Sequence, residues 1–148
     1  MNSVIISAGS NINPAANLKQ AAQILESELH VAGCAHTLTT KPVGFADQPD
    51  FINTAFLIQT DLELAPLAAY LKNVETRLGR VRTANKSGPR TIDLDIVVFN
   101  GKVIDNDVYE RGFLQKLILE LMPELQRNFS LLDMKGKNHG AGNQGRPV

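Results

Sequence analysis

Apolar and polar positions along this chain fall into two alternating rhythms. Val4 to Ala8 is a short apolar run closed by Gly9, which predicts a buried strand. Asn13-Pro14 offers an N-cap and a proline at the first helical position. Leu18, Ala21, Ala22, Leu25 and Leu29 then recur at helical spacing, so a helix is expected as far as Val31, with Gly33 just beyond it. A strand over 34–40 comes next. The stretch 41–50 carries Pro42, Gly44 and Pro49 and reads as a loop. Residues 51–60 read as another strand. Leu67, Leu71, Val74 and Leu78 define a second helix over 65–78 that stops at Gly79. The run 91–99 alternates and is rich in Ile, Leu and Val, again a strand. Asn100-Gly101 is a hairpin turn into a short strand over 102–104. Residues 113–122 predict a third helix that ends near Pro123.

The order β-α-β-β-α-β is that of a ferredoxin-like split unit, an α+β fold with helices on one face of a mostly antiparallel sheet. The chain has 148 residues, the size of one domain with a real core. That domain is expected to span 1–132. From 133 to 148 the composition turns to Gly, Asn and Lys, and this polar tail, His139 included, is expected to be disordered.

Charge and cysteine content narrow the function classes. Lys plus Arg and Asp plus Glu are both 15, so the formal charge is zero and there is no electrostatic case for duplex nucleic acid. The single Cys34 cannot form an internal disulfide; it sits in an apolar run and reads as a buried thiol. No apolar run is long enough to span a membrane, and the start Met1-Asn2-Ser3-Val4 lacks the basic region of a signal peptide. A cytoplasmic, monomeric protein is the expectation.

The most informative chemistry lies between Glu75 and Phe99. Arg80, Arg82 and Arg90 precede Asp93 and Asp95, which sit two residues apart on the strand over 91–99. Residues i and i+2 of a strand share a face, so the two carboxylates project together while Ile92, Leu94 and Ile96 point into a core. Adjacent carboxylates repel and resist burial. A hard divalent cation relieves both problems, and Mg2+ commonly binds through one or two carboxylates plus substrate phosphates. Arginine suits phosphate oxygens because its planar guanidinium grips them through parallel hydrogen bonds. The same pattern also suits a solvated strand face with loop arginines paired to surface carboxylates. The apolar continuation Ile96-Val97-Val98-Phe99, which suggests a central strand, and the clustering of the arginines favour a metal–nucleotide site. Phe51 and Asn53 share a face by the same spacing, an aromatic and an amide suited to the face and edge of a flat polar heterocycle. A strand phenylalanine is equally at home in a core.

The segment Gly88-Pro89-Arg90-Thr91-Ile92-Asp93-Leu94-Asp95, preceded by Gly79-Arg80-Val81-Arg82, resembles the signature of the 6-hydroxymethyl-7,8-dihydropterin pyrophosphokinases. Gly9-Ser10-Asn11 and Asp47-Gln48-Pro49-Asp50-Phe51-Ile52-Asn53 match two further landmarks of that family in the expected order. The resemblance runs from about residue 4 to about residue 125 and implies pyrophosphoryl transfer from ATP to the hydroxymethyl oxygen of the dihydropterin, with release of AMP. It implies two Mg2+ ions on Asp93 and Asp95, and Arg80 and Arg90 over the triphosphate. It places Glu75, Arg82, Ile96 and Arg111 with the nucleotide. The pterin falls to Asn53, to the backbone of Thr40, Pro42 and Val43, and to Phe51 and Phe113 on its two faces. The small polar stretch 84–88 would be a mobile lid.

The chain departs from the family where a V-P-H-P-like segment usually carries a nucleotide-contacting histidine. Here Ile104 to Arg111 is shorter, and no histidine lies between His36 and His139. Two readings follow: an active pyrophosphokinase with a trimmed nucleotide pocket, or a degenerate relative that binds a pterin-like heterocycle and transfers little. Retention of Asp93, Asp95, Arg80 and Arg90 favours the first. An RNA-binding ferredoxin-like module is disfavoured by zero net charge and few aromatics.

Overall fold

A computed structural model describes the chain except for Val43, Phe45, Ala46, residues 82–87 and residues 130–148. The expectations for Val43, for Arg82, for most of the lid and for the polar tail lie outside the described residues. Strands are β1 (Asn2–Ser10), β2 (His30–Cys34), β3 (Leu38–Thr40), β4 (Phe51–Thr60), β5 (Asp93–Phe99) and β6 (Lys102–Val103). Helices are α1 (Pro14–Glu28), α2 (Leu64–Arg77), α3 (Asp107–Glu110) and α4 (Gly112–Leu121), followed by a 3-10 turn at Pro123–Leu125. The sheet order is β2-β4-β1-β5-β6, with β3 also pairing β4, and the pairings are antiparallel. This is the expected α+β arrangement of a split βαβ core. Both crossover helices, α1 and α2, land on one face of the sheet, where Leu18, Leu25, Leu67, Leu71 and Val74 pack on Val4, Ile6, Phe56, Ile58, Ile92 and Leu94.

The opposite face is covered too, contrary to the one-sided expectation. Leu114, Leu117 and Ile118 of α4 pack with Ile5, Ala55, Val97 and Val98. An alternating strand such as β1 has two apolar faces here, so each needs its own cover. Helix α1 stops at Glu28 rather than at Val31, because His30 and Val31 pair with Gln59 and Ile58 of β4. The expected strand over 34–40 is split into β2 and β3. Cys34 is exposed, not buried: β2 is an edge strand and its pattern alternates between exposed and half-buried residues. Asn100 and Gly101 have φ of 51° and 79°, the left-handed pair that a two-residue hairpin requires. Arg77 donates to both carboxylate oxygens of Glu28 at 2.8 and 2.7 Å, and Tyr70 donates to the same carboxylate at 2.7 Å, tying α1 to α2. These bonds, Arg77 foremost, hold the Glu28 carboxyl down at about 2.

Strand β5 is central only in part. β1 flanks it from Asp93 to Phe99, but β6 pairs only with Val98 and Phe99. Its first half therefore has one edge without a strand partner among the described residues, and the two aspartates sit there.

Candidate active site

The odd-numbered residues of β1, β4 and the first half of β5 face the α4 side of the sheet, and at one end that face opens into a cleft. Its floor is Ser7 and Gly9 of β1, Phe51 and Asn53 of β4, and Asp93 and Asp95 of β5. Thr40 and Lys41 form one rim, Arg90 a second, and Asp105, Asp107, Arg111, Phe113 and Leu114 the wall, contributed by α3, α4 and the residues that lead into each. The register explains the assembly. Gly9 pairs with Asn53 on one side and with Asp93 on the other, so three sequence-distant residues lie in one row across the sheet.

The arginines converge on Asp93. Arg80 donates to Oδ1 and Arg90 to Oδ2, each at 3.0 Å. Arg80 is also held at 2.9 Å by Glu75 Oε2, which accepts the Leu94 N–H at 2.7 Å. Glu75 is 1% exposed. It lies behind the cleft rather than in its lining, and it ties α2, Arg80 and β5 together. Lys72 stands 3.9 Å from its other oxygen.

Asp95 has no ion pair among the described residues. Burial, and then the charge of Asp93, push its carboxyl up to about 7; Asp105 and Glu75 add to this, and Lys72 opposes it. A pair of carboxylates in which one resists ionisation is short of positive charge on that side. Mg2+ fits this donor set of two cofacial carboxylates beside a cleft, with substrate phosphates supplying the rest. No cluster of three or more His, Cys, Asp or Glu side chains suited to a metal occurs among the described residues.

Asn11 joins three segments that the sequence shows as separate motifs. Its Oδ1 accepts the Arg90 N–H at 2.8 Å, and its own N–H donates to the Arg90 carbonyl at 3.2 Å. Its amide nitrogen donates to Gln48 Oε1 at 2.7 Å and to the Pro49 carbonyl at 3.0 Å. At 3% exposure this is a buried hub between the loop before Phe51 and the loop carrying Arg90. Asn11→Ala is expected to weaken binding on both sides of the cleft and to destabilise the fold by about 1–3 kcal/mol, the cost of stranding buried partners. Chemical denaturation together with separate titrations of the two substrates checks it.

Of the residues expected from sequence, Thr40, Phe51, Asn53, Arg90, Asp93, Asp95, Arg111 and Phe113 line one cleft. Arg80 reaches it through Asp93. Ile96 packs against the α1/α2 core, on the face opposite Asp95. Pro42 is half-buried in the loop after β3 and outside the cleft lining. Sequence reasoning missed Lys41, Asp105, Asp107 and the hub role of Asn11. The spacing of Asp105 and Asp107 repeats that of Asp93 and Asp95, a signal that could have drawn attention to them.

The family model for 7,8-dihydro-6-hydroxymethylpterin-pyrophosphokinase matches residues 5–123. A 2-amino-4-hydroxy-6-hydroxymethyldihydropteridine pyrophosphokinase of Haemophilus influenzae is 32% identical over 131 residues, covering 81% of each chain. The enzyme of the same name from Bacillus subtilis is 33% identical over 137 residues, covering 85% of this chain and 81% of that one. A mitochondrial folate synthesis bifunctional protein of Pisum sativum is 32% identical over 129 residues, but there the match covers only 25% of the longer protein. With a match that runs from within β1 to beyond the end of α4, this chain belongs to the 7,8-dihydro-6-hydroxymethylpterin-pyrophosphokinase family.

Proposed function

We propose that this protein transfers the pyrophosphoryl group of ATP to the hydroxymethyl oxygen of 6-hydroxymethyl-7,8-dihydropterin in folate biosynthesis. Family membership supports the reaction and ATP as co-substrate. The observation that carries it to this cleft is the single row Asn53, Gly9, Asp93 across the sheet. That row puts an amide suited to a heterocycle edge and a carboxylate suited to a metal on one face, with Gly9 between them, at a separation the sheet itself imposes.

In this reading Phe51 and Phe113 hold the pterin by its faces, Asn53 binds its edge, and backbone groups of Thr40, Pro42 and Val43 complete that side. The alcohol attacks the β-phosphorus, the bond to the bridging oxygen of the α-phosphate breaks, and AMP leaves with that oxygen. The alcohol proton passes to a cleft carboxylate or to water. Arg80 and Arg90 meet the negative charge that grows on the phosphate oxygens, and most of the acceleration comes from such positioning and charge stabilisation. Arg82, Glu75, Ile96 and Arg111 are assigned to the nucleotide side, with Glu75 acting through Arg80, and with Ile96, whose side chain packs on the opposite face of the sheet, acting through the β5 backbone. Mg2+, as two ions on Asp93 and Asp95, would neutralise phosphate charge there. The catalytic domain is taken as residues 1–132, followed by a polar tail, in a cytoplasmic monomer. No helix among the described residues is long and apolar enough to cross a membrane.

Release of AMP from ATP, Mg2+ and the hydroxymethyl dihydropterin tests the proposal. Pterin binding without AMP formation would instead identify a degenerate relative. Phe51→Ala and Phe113→Ala should each weaken pterin binding by about 1–3 kcal/mol, the scale of one stacking face, while ATP affinity changes little. Unfolding of Phe113→Ala with no selective loss of pterin binding would make Phe113 a core residue and end the clamp assignment.

A further inference from the structure

We infer that Gly9 and the hydroxyl of Thr40 are positioning residues that hold the Asn53 amide in one orientation, with its carbonyl oxygen as the group offered to the ligand. The inference rests on the assignment of this cleft to the pterin.

Asn53 is 8% exposed and sits on the cleft floor. Its amide nitrogen donates to the Thr40 hydroxyl oxygen at 2.7 Å and to the Leu38 carbonyl at 3.4 Å. A backbone carbonyl can only accept, so the NH2 end of the amide must face β3. Both of its hydrogens then have acceptors on that strand. The Leu38 contact is long, so the Thr40 hydroxyl is the stronger of the two anchors. The opposite end of the amide, Oδ1, lies against Gly9. A Cβ built on Gly9 would stand 2.7 Å from Oδ1 and 3.8 Å from a ring carbon of Phe51. The first distance is closer than a Cβ tolerates, so any side chain at position 9 would turn the amide or lift it from the floor. Gly9 is thus needed for a close approach across the β1–β4 pair, not for a turn.

The chemical consequence is selectivity. With the NH2 group occupied, Asn53 presents an acceptor only, and the ligand edge that meets it must offer an N–H. An edge carrying an acceptor there would leave two lone pairs facing each other in a buried site, which is costly.

The test compares Thr40→Val, Thr40→Ser, Gly9→Ala and Asn53→Ala. Thr40→Val removes the hydroxyl but keeps shape and backbone. The probes are 6-hydroxymethylpterin, titrated by its fluorescence, and α,β-methylene ATP. Thr40→Val and Gly9→Ala should each weaken pterin binding about tenfold, the scale of one lost hydrogen bond. The KM for the dihydropterin should rise while kcat stays within about twofold. Binding of the ATP analogue should stay at its wild-type value, the melting temperature of Thr40→Val should fall by no more than a few degrees, and Thr40→Ser should restore pterin binding. Wild-type pterin affinity in Thr40→Val, or failure of Thr40→Ser to restore it, overturns the inference. If Gly9→Ala does not fold, the valine and serine pair at Thr40 decides alone. Asn53→Ala separates the two levels. Unchanged pterin affinity there defeats the assignment of the cleft to the pterin, whereas loss there with none in Thr40→Val defeats only the positioning role.

Discussion

Asp95→Asn is expected to lower pyrophosphoryl transfer by about a thousandfold or more, the scale of several kcal/mol of transition-state charge stabilisation. In metal-free buffer the same substitution should raise stability. The folded protein pushes the Asp95 carboxyl up to about 7 from an ordinary 3.8, through burial and the charge of Asp93. Between those pH values the folded chain keeps a proton that the unfolded chain has released. Stability therefore falls as pH rises through that window. Asparagine has no such charge to bury, so this fall in stability with rising pH should be absent from the variant. Discounted for the partial exposure of the site, the gain near neutral pH is about 1–2 kcal/mol, or roughly 3–8 °C in melting temperature. Melting curves from acid to neutral pH with a chelator present, and AMP release with Mg2+, read the two effects separately. Near-normal turnover in Asp95→Asn would sink the metal assignment. A less stable variant at neutral pH would overturn the electrostatic account of the apo site.

Glu75→Ala should have the opposite sign and a larger effect on folding. Glu75 is buried with its carboxylate between Arg80 and the Leu94 N–H. Removing one member of a buried ion pair typically costs about 3–5 kcal/mol when the other is left uncompensated; Arg80 keeps Asp93, so a loss of about 2–4 kcal/mol is expected. Here the loss also frees the end of α2 from β5 and releases Arg80 from one of the two carboxylates that hold it among the described residues. Glu75→Gln keeps an acceptor for the Leu94 N–H but loses the charge, so it should fall between wild type and Glu75→Ala. Denaturant unfolding of the three proteins measures the series. A Glu75→Ala protein within about 1 kcal/mol of wild type would show that the carboxylate is not an anchor. Transfer should fall in both variants, because Arg80 then keeps Asp93 but loses the Glu75 contact that fixes its position from behind the cleft.

Hydrophobic periodicity along the chain carried the α+β order, the helices around Leu67, Leu71 and Val74, and the hairpin at Asn100-Gly101. Each of these depends on neighbours within a few residues, where a side-chain period or a left-handed turn leaves a direct trace. The D-x-D spacing likewise placed Asp93 and Asp95 on one face, because strand geometry allows nothing else. The end of α1, the second covered face of the sheet and the edge of β5 without a strand partner among the described residues were not legible. They follow from which strand pairs with which, and pairing is a contact between residues far apart in sequence. The apolar run Ile96 to Phe99 suggested a fully flanked strand, yet it is apolar on both faces because helices cover both sides of the sheet, not because β6 runs its whole length. The site divides in the same way. Residue types and local spacing pointed to Asp93, Asp95, the arginines before them, Phe51 and Asn53, and the family resemblance added Arg111 and Phe113. Only the register of β1 against β4 and β5 put Asn53, Gly9 and Asp93 in one row. Only packing made Glu75 a buried anchor and Asn11 a link between loops, because burial and hydrogen-bond partners belong to the folded surface rather than to any stretch of sequence.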